Sequence, residues 1–167
     1  NVCNGKSPDD ELAIAFQNCN ATGGSVVLPY TLAGYGDPVM TEPPAEMFDQ
    51  ILSGEVKGQN VPPSKLNSTT FTIEKLRAEG NGYGFINTQG DRDGVYRHFP
   101  LFANIELEGD PLYFPSLALS TYMKYTEKEA NYSIRANGSV SMNVSGNTLH
   151  LDALGKARVK FLGDSSY

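Results

Sequence analysis

Hydrophobic and polar positions alternate along this chain in short blocks whose period changes repeatedly. Leu12, Ala15, Phe16 and Cys19 recur at helical spacing and predict a helix from Ser7 to Cys19 with those four on its inner face. Its start follows from side-chain chemistry: Ser7 caps, Pro8 takes the first helical position, and Asp9 and Asp10 meet the positive helix end. Ala21-Thr-Gly-Gly24 breaks the chain, and Ser25-Val-Val-Leu-Pro29 is then a short buried strand, giving an αβ unit of the kind used in layered folds.

From Thr31 to Thr70 the pattern fades into a long polar excursion, rich in proline and glycine. Only one short helix is predicted there, Ala45 to Ser53, with Met47, Phe48, Ile51 and Leu52 inward and Gly54 as its stop. With so few apolar anchors, the excursion is expected to be the mobile part, its short helix acting as a lid. A second helical piece, Phe71 to Ala78, ends at Gly80-Asn-Gly82. Strands are predicted at Gly84–Thr88 and Val95–Leu101, joined by a turn, followed by a helix over Pro115–Met123 that is apolar nearly all round and becomes solvated at Lys124–Glu129. Beyond Tyr132, short β-type runs alternate with turns at Asn137-Gly138, Ser145-Gly-Asn147 and Leu151–Gly155, the last leading into a strand over Ala157–Leu162. The fold class expected is α/β (α+β), a mixed sheet flanked by helices.

Composition narrows the function. With 167 residues and 40% hydrophobic content, the chain can fill one ordinary core. A net charge of −6 argues against nucleic acid and against an electrostatic grip on an anionic membrane. No apolar run approaches the ~20 residues of a membrane span, and the N-terminus has no signal-peptide pattern. Cys3 and Cys19 are a candidate disulfide. The helix from Ser7 would carry Cys19 ~18 Å away, whereas the tail back to Cys3 reaches ~13 Å and a bridge adds ~5–6 Å. Pairing needs a tail running straight back along the helix; two free thiols need no such condition and are the expectation. Five N-x-S/T sites occur, at Asn20, Asn67, Asn131, Asn137 and Asn143. Turn-rich composition generates such sites without modification, and that is how they are read.

The candidate chemistry centres on Asn87-Thr-Gln-Gly-Asp-Arg-Asp-Gly94, whose D-x-D-G core looks like part of a calcium loop. Neither register of a calcium-binding EF-hand fits: with Gly94 sixth, Gln89 falls first and Pro100 twelfth, and with Asp91 first, Val95 falls fifth. A structural turn explains every residue, since Asp91 and Asp93 can bond nearby amides and Gly94 can take a positive φ. Arg97 shares an alternating face with Val95, Phe99 and Leu101, where a guanidinium needs an acceptor. A salt bridge to Asp91 or Asp93 would supply it; otherwise Arg97 is the candidate ligand-binding residue, gripping a carboxylate or phosphate. His98 and His150 lie far apart with no metal-binding spacing, no nucleophile elbow or phosphate loop occurs, and Tyr122, Met123 and Tyr125 read as packing residues. No catalytic residue, metal site or cofactor is predicted. A hydrolase using Asp91, Asp93 and His98 ranks last, behind a sensor and a secreted adhesion or scaffold domain.

Gly84-Phe-Ile-Asn87, Asp91-Arg-Asp-Gly94, Arg97, Pro100-Leu101 and Pro115-Ser-Leu-Ala-Leu119 together resemble the type-two CHASE domain, the cyclase/histidine-kinase-associated sensory extracellular domain. The likeness extends more weakly to Asp10–Ala15 with Val26–Leu28 and to Leu151–Gly155. Family domains usually begin with further β-α units that are missing before Asn1, so the chain resembles the C-terminal two thirds of one such domain. The resemblance implies an extracytoplasmic sensor in a bacterial membrane receptor, signalling to a cyclase or kinase. It implies an unidentified small-molecule or environmental signal, a dimer formed through the parent receptor, and membrane attachment through segments absent from this chain. It supplies no binding residues.

Overall fold

The computed structural model describes residues 7–34, 44–57, 66–88, 90–107 and 110–160. In chain order its elements are α1 (Pro8–Ala21), β1 (Val27–Gly34), α2 (Ala45–Phe48), β2 (Ser53–Val56), β3 (Leu66–Phe71), α3 (Glu74–Arg77), β4 (Gly82–Phe85) and β5 (His98–Pro100). There follow β6 (Phe102–Leu107), β7 (Asp110–Pro115), α4 (Leu117–Thr126), β8 (Ala130–Ile134), β9 (Val140–Val144), β10 (Asn147–Leu151) and β11 (Lys156–Arg158). The α/β class holds, with mixed sheets and helices on them.

The first sheet runs β4-β1-β3-β6-β7. Its second strand, β1, is parallel to its neighbour β4 and antiparallel to β3. Leu28, Tyr30 and Leu32 are buried on one face of β1 while Pro29 and Thr31 are exposed, the period of two that a half-covered strand requires. They join Met47, Phe85, Ile105 and Phe114 in one core. The Asn87 side chain extends the parallel pairing past the end of β4: its amide donates to Leu32 O (2.7 Å) and its carbonyl accepts from Leu32 N–H (2.6 Å). The second sheet runs β10-β9-β8-β2, over a core of Leu52, Phe102, Tyr113, Leu119, Ile134 and Met142. β9 and β10 are joined by Ser145-Gly146, both at positive φ (54° and 84°), the two-residue turn whose twist matches a hairpin. A small third sheet pairs β11 with β5.

α1 begins as its sequence demands. Ser7 Oγ accepts Asp10 N–H (3.2 Å) and the Asp10 carboxylate accepts Ser7 N–H (2.9 Å), a reciprocal cap. Its inner face is not the expected one: Phe16 and Cys19 pack on the core, but Ala13 is the buried residue of the helix, and Leu12 and Ala15 are exposed. Polar anchors set this rotation. Gln17 bonds Glu79, Asn20 donates to Glu79 O (2.8 Å) and Lys75 pairs with Asp10, together turning the helix about its axis.

Several other expectations are corrected. The helix over Ala45–Ser53 stops at Phe48; Ile51 is exposed, Leu52 is buried, and Ser53 and Gly54 belong to β2, paired parallel to β8. Phe71 ends a strand instead of starting a helix, and α3 spans only Glu74–Arg77. Gly82, expected to close a helical piece, lies within β4, which starts two residues before the strand expected from Gly84 and ends at Phe85. The strands on either side of the Asp91–Gly94 turn do not pair with each other: β4 pairs with β1, and β5 with β11. The interval Thr31–Thr70 is polar, but among its described residues are the end of β1, all of β2 and most of β3, so it is woven into both large sheets. In the short helix expected to act as a lid, Met47 is fully buried. The strand expected over Ala157–Leu162 is β11, ending at Arg158.

The Tyr30 and Tyr113 hydroxyls are buried without a hydrogen-bond partner among the described residues. Burial, with a smaller contribution from Tyr132, pushes Tyr113 up to about 12, and burial pushes Tyr30 up as well. A raised folded-state pKa lends stability that is intact below the ordinary tyrosine value of about 10 and is lost as pH climbs through the folded value. The thermal midpoint is therefore expected to fall between pH ~10 and ~12. Tyr113→Phe should blunt that fall while matching the parent at neutral pH, because it removes only an unpaired hydroxyl. A variant much less stable than the parent at neutral pH would overturn this.

Candidate functional site

The Asp91–Gly94 segment is a closed turn. Gly94 N–H donates to Asp91 O (2.8 Å), Asp91 N–H to Val95 O (2.9 Å), and the Asp93 carboxylate accepts Val95 N–H (3.1 Å), with Gly94 at φ 79°. Arg97 Nη1 lies 2.8 Å from an Asp93 oxygen and 3.3 Å from Asp91 Oδ2. His98 Nδ1 lies 3.2 Å from Asp91 Oδ1. Residues 95–97 carry no strand, so Arg97 does not sit on a buried face; its side chain is 44% exposed. Its main chain is pinned instead, Arg97 O accepting Val159 N–H (2.8 Å).

The electrostatics of this cluster point one way. The His98 hydrogen bond, then Arg97, holds Asp91 below the usual carboxylate range; Arg97, then the Val95 amide, does the same for Asp93. Acid–base catalysis by two carboxylates needs their pKa values pushed apart. Here both are held ionised, with a guanidinium where a substrate or a cation would have to stand. The arrangement can fasten a turn; it is poorly made for hydrolysis. A groove of about 550 Å³ runs beside it, lined by Val95, Arg97, Arg158, Val159 and Lys160.

The two carboxylates depend on different partners, and a titration can separate them. Arg97→Ala is expected to raise the Asp93 midpoint more than that of Asp91, which keeps His98; His98→Gln should raise Asp91 alone. Side-chain carboxyl chemical shifts against pH would measure both. Equal shifts in both variants would contradict the assigned partners. Because a lowered folded-state pKa lends stability above the ordinary carboxylate value, any such contribution disappears as pH falls through the lowered midpoints.

A second cavity, of about 450 Å³, lies where the C-terminal end of α4 meets the Asp49–Ser53 connection and the start of β8. Ser116 begins this helix as its N-cap, its Oγ accepting Leu119 N–H (3.3 Å), and Glu127 ends it in the left-handed conformation. One turn in, Ser120 is 1% exposed, lines the cavity, and has no hydrogen-bond partner for its hydroxyl among the described residues. Lys124 and Lys128 line the same space, with Asp49, Glu127 and Glu129. None of these was singled out in the sequence. The available signal was a serine inside an otherwise apolar helix, since a polar residue there must either find a partner or face a cavity.

Other candidates fall elsewhere. Tyr122 (44% exposed) and Tyr125 (87% exposed) are surface residues, not the packing residues expected; only Met123 packs against the second core. Cys19 is partly buried, and its suggested partner Cys3 lies outside the described residues. Asn20 spends its amide on Glu79 O and its carbonyl on Asn81, an engagement a glycan would break. Asn131, Asn137 and Asn143 are exposed, and nothing is described of the Asn67 side chain.

Neither the curated proteins nor the solved structures contain a match to this chain. A family model does: the one described as CHASE2 domain matches residues 3–165. That span takes in the large sheets, the Asp91–Gly94 turn and the α4 cavity, and the chain belongs to the CHASE2 family of extracellular sensory domains.

Proposed function

We propose that this domain is the extracytoplasmic input module of a bacterial transmembrane receptor, and that it regulates a linked adenylate or guanylate cyclase or histidine kinase. The observation that carries the reading is the family match across residues 3–165. No helix among the described residues is long and apolar enough to cross a membrane; in this reading the receptor is anchored by other parts of the parent chain. The paired, ionised carboxylates of the turn fit a module that transmits a state better than one that turns over a substrate.

The test has two arms. An epitope inserted at the exposed Asn137-Gly138 turn should be cut by protease added to the outer face of intact spheroplasts. Deleting the domain from the receptor should fix cyclase or kinase output at one level, whatever the growth medium. An epitope cut only after lysis would overturn the location, and output that still follows the medium would overturn the sensory role.

A further inference from the structure

We propose that the cavity at the C-terminal end of α4 binds a small organic zwitterion of the amino-acid class, holding its ammonium and its carboxylate on opposite sets of side chains. The inference gives a ligand class to the sensory reading above, but its support is the cavity itself. About 450 Å³ is within the size range of small-molecule sites. Asp49, Glu127 and Glu129 line it together with Lys124 and Lys128, and among the described residues no ion pair joins any of the five. Opposite charges that share a cavity without pairing leave both signs available to a ligand.

The Lys124 chain lies against β4, where a Cβ added at Gly82 would come within 3.1 Å of Lys124 Cε. This residue is half-buried, and the backing by β4 reduces the freedom a bound carboxylate would have to take from it. Ser120 adds an independent sign. A buried hydroxyl without a partner burdens the fold unless something in the cavity bonds it. Asp49, Glu127, Lys128 and Glu129 are exposed around the opening, where a ligand can reach their charges from solvent.

The balance of charge selects the ligand. An anion alone would face three carboxylates and the negative end of α4. A cation alone would face two ammonium groups. A molecule carrying both satisfies both sets, with Ser120 beside its carboxylate and Ile51, Leu52 and Met123 offering apolar surface to a side chain. Bound there, it would tie the Asp49–Ser53 connection to α4, elements that otherwise meet across a gap.

The test uses the isotope-labelled 167-residue chain and follows backbone amide signals as each common amino acid is added, with ethylamine and propionate as single-charge controls. Saturable shifts are expected at Leu52, Ser53 and residues 120–130 for at least one amino acid, with ethylamine and propionate at least about tenfold weaker. Ser120→Ala should weaken binding about three- to tenfold and Lys124→Met by more, with the unfolding midpoint of both near the parent's. No saturable shift at these amides with any amino acid would overturn the proposal, as would ethylamine or propionate binding as tightly as the amino acid, or Ser120→Ala and Lys124→Met leaving affinity unchanged. The receptor-deletion experiment reads output without reference to this ligand, so failure here would remove the site and leave the sensory reading standing.

Discussion

Gly84→Ala is expected to cost at least ~3 kcal/mol, or to prevent folding altogether. A Cβ added at Gly84 would lie 2.4 Å from Leu117 Cα, 2.5 Å from Leu117 N and 2.7 Å from Ser116 C. All three are backbone atoms of the first turn of α4, so no rotamer change relieves the clash. The helix itself would have to lift off β4, and the bridge between Phe85 and Ser116 would go with it. Gly94→Ala is the matched control. Gly94 sits at φ 79° with open space around it, so its substitution carries only the left-handed backbone penalty, ~1 kcal/mol. Urea unfolding of both variants measures the difference. Equal midpoints would show that α4 does not rest on β4 as closely as described.

Phe102→Ala should be nearly as damaging, at ~3–5 kcal/mol. Phe102 is 2% exposed and belongs to β6, yet its ring meets three parts of the molecule. It lies edge-on to Tyr113 of β7 (5.7 Å between centroids) and stacked with Tyr132 of β8 (5.6 Å), and it is the surface against which the Gly155 turn closes. Removing it opens a cavity at the junction of all three sheets, where Tyr113 and Tyr132 are already packed on each other at 4.4 Å and cannot both shift to fill it. Thermal unfolding is the measurement. A loss no larger than that of an exposed control, Val159→Ala, would mean that the junction contributes little.

The elements legible in the sequence are those governed by local chemistry. Ser7-Pro8-Asp9-Asp10 starts a helix because its cap needs only neighbours, and Ser145-Gly146 and Asn137-Gly138 turn because their backbone conformations are favoured locally. The D-x-D-G turn is readable for the same reason. Strands β6 and β7 were missed because period two vanishes when both faces are covered. Phe102 through Ile105 are all buried, as are Tyr113 through Pro115, and prolines at 111 and 115 further obscure the run. β2 fails in the opposite way: all four residues are exposed, and backbone pairing to β8, not a buried side-chain face, defines it. The α4 cavity gathers residues 25, 49–53, 120, 123, 124 and 127–130, which no local window contains. Its rotation of charge around an apolar helix end becomes visible only once β4 fixes where that helix lies.

The parallel pairing of β2 with β8 sets a schedule on the nascent chain. Ser53–Val56 are made first, but the strand they bond to, Ala130–Ile134, follows only after β3 to β7 and α4 have been made. Until then the chain must carry β2 as an unpaired strand, and closing so long a loop is slow relative to forming the neighbouring β8–β9 hairpin. An unpaired strand edge is also a template for pairing with another molecule. Glu55 and Lys57, side by side on and just after that strand and bonded to each other at 2.9 Å, put charge along the edge during the wait. The order of synthesis thus keeps the second sheet from closing until β8 is made, and leaves β2 as a place where a partly made chain is open to the wrong partner.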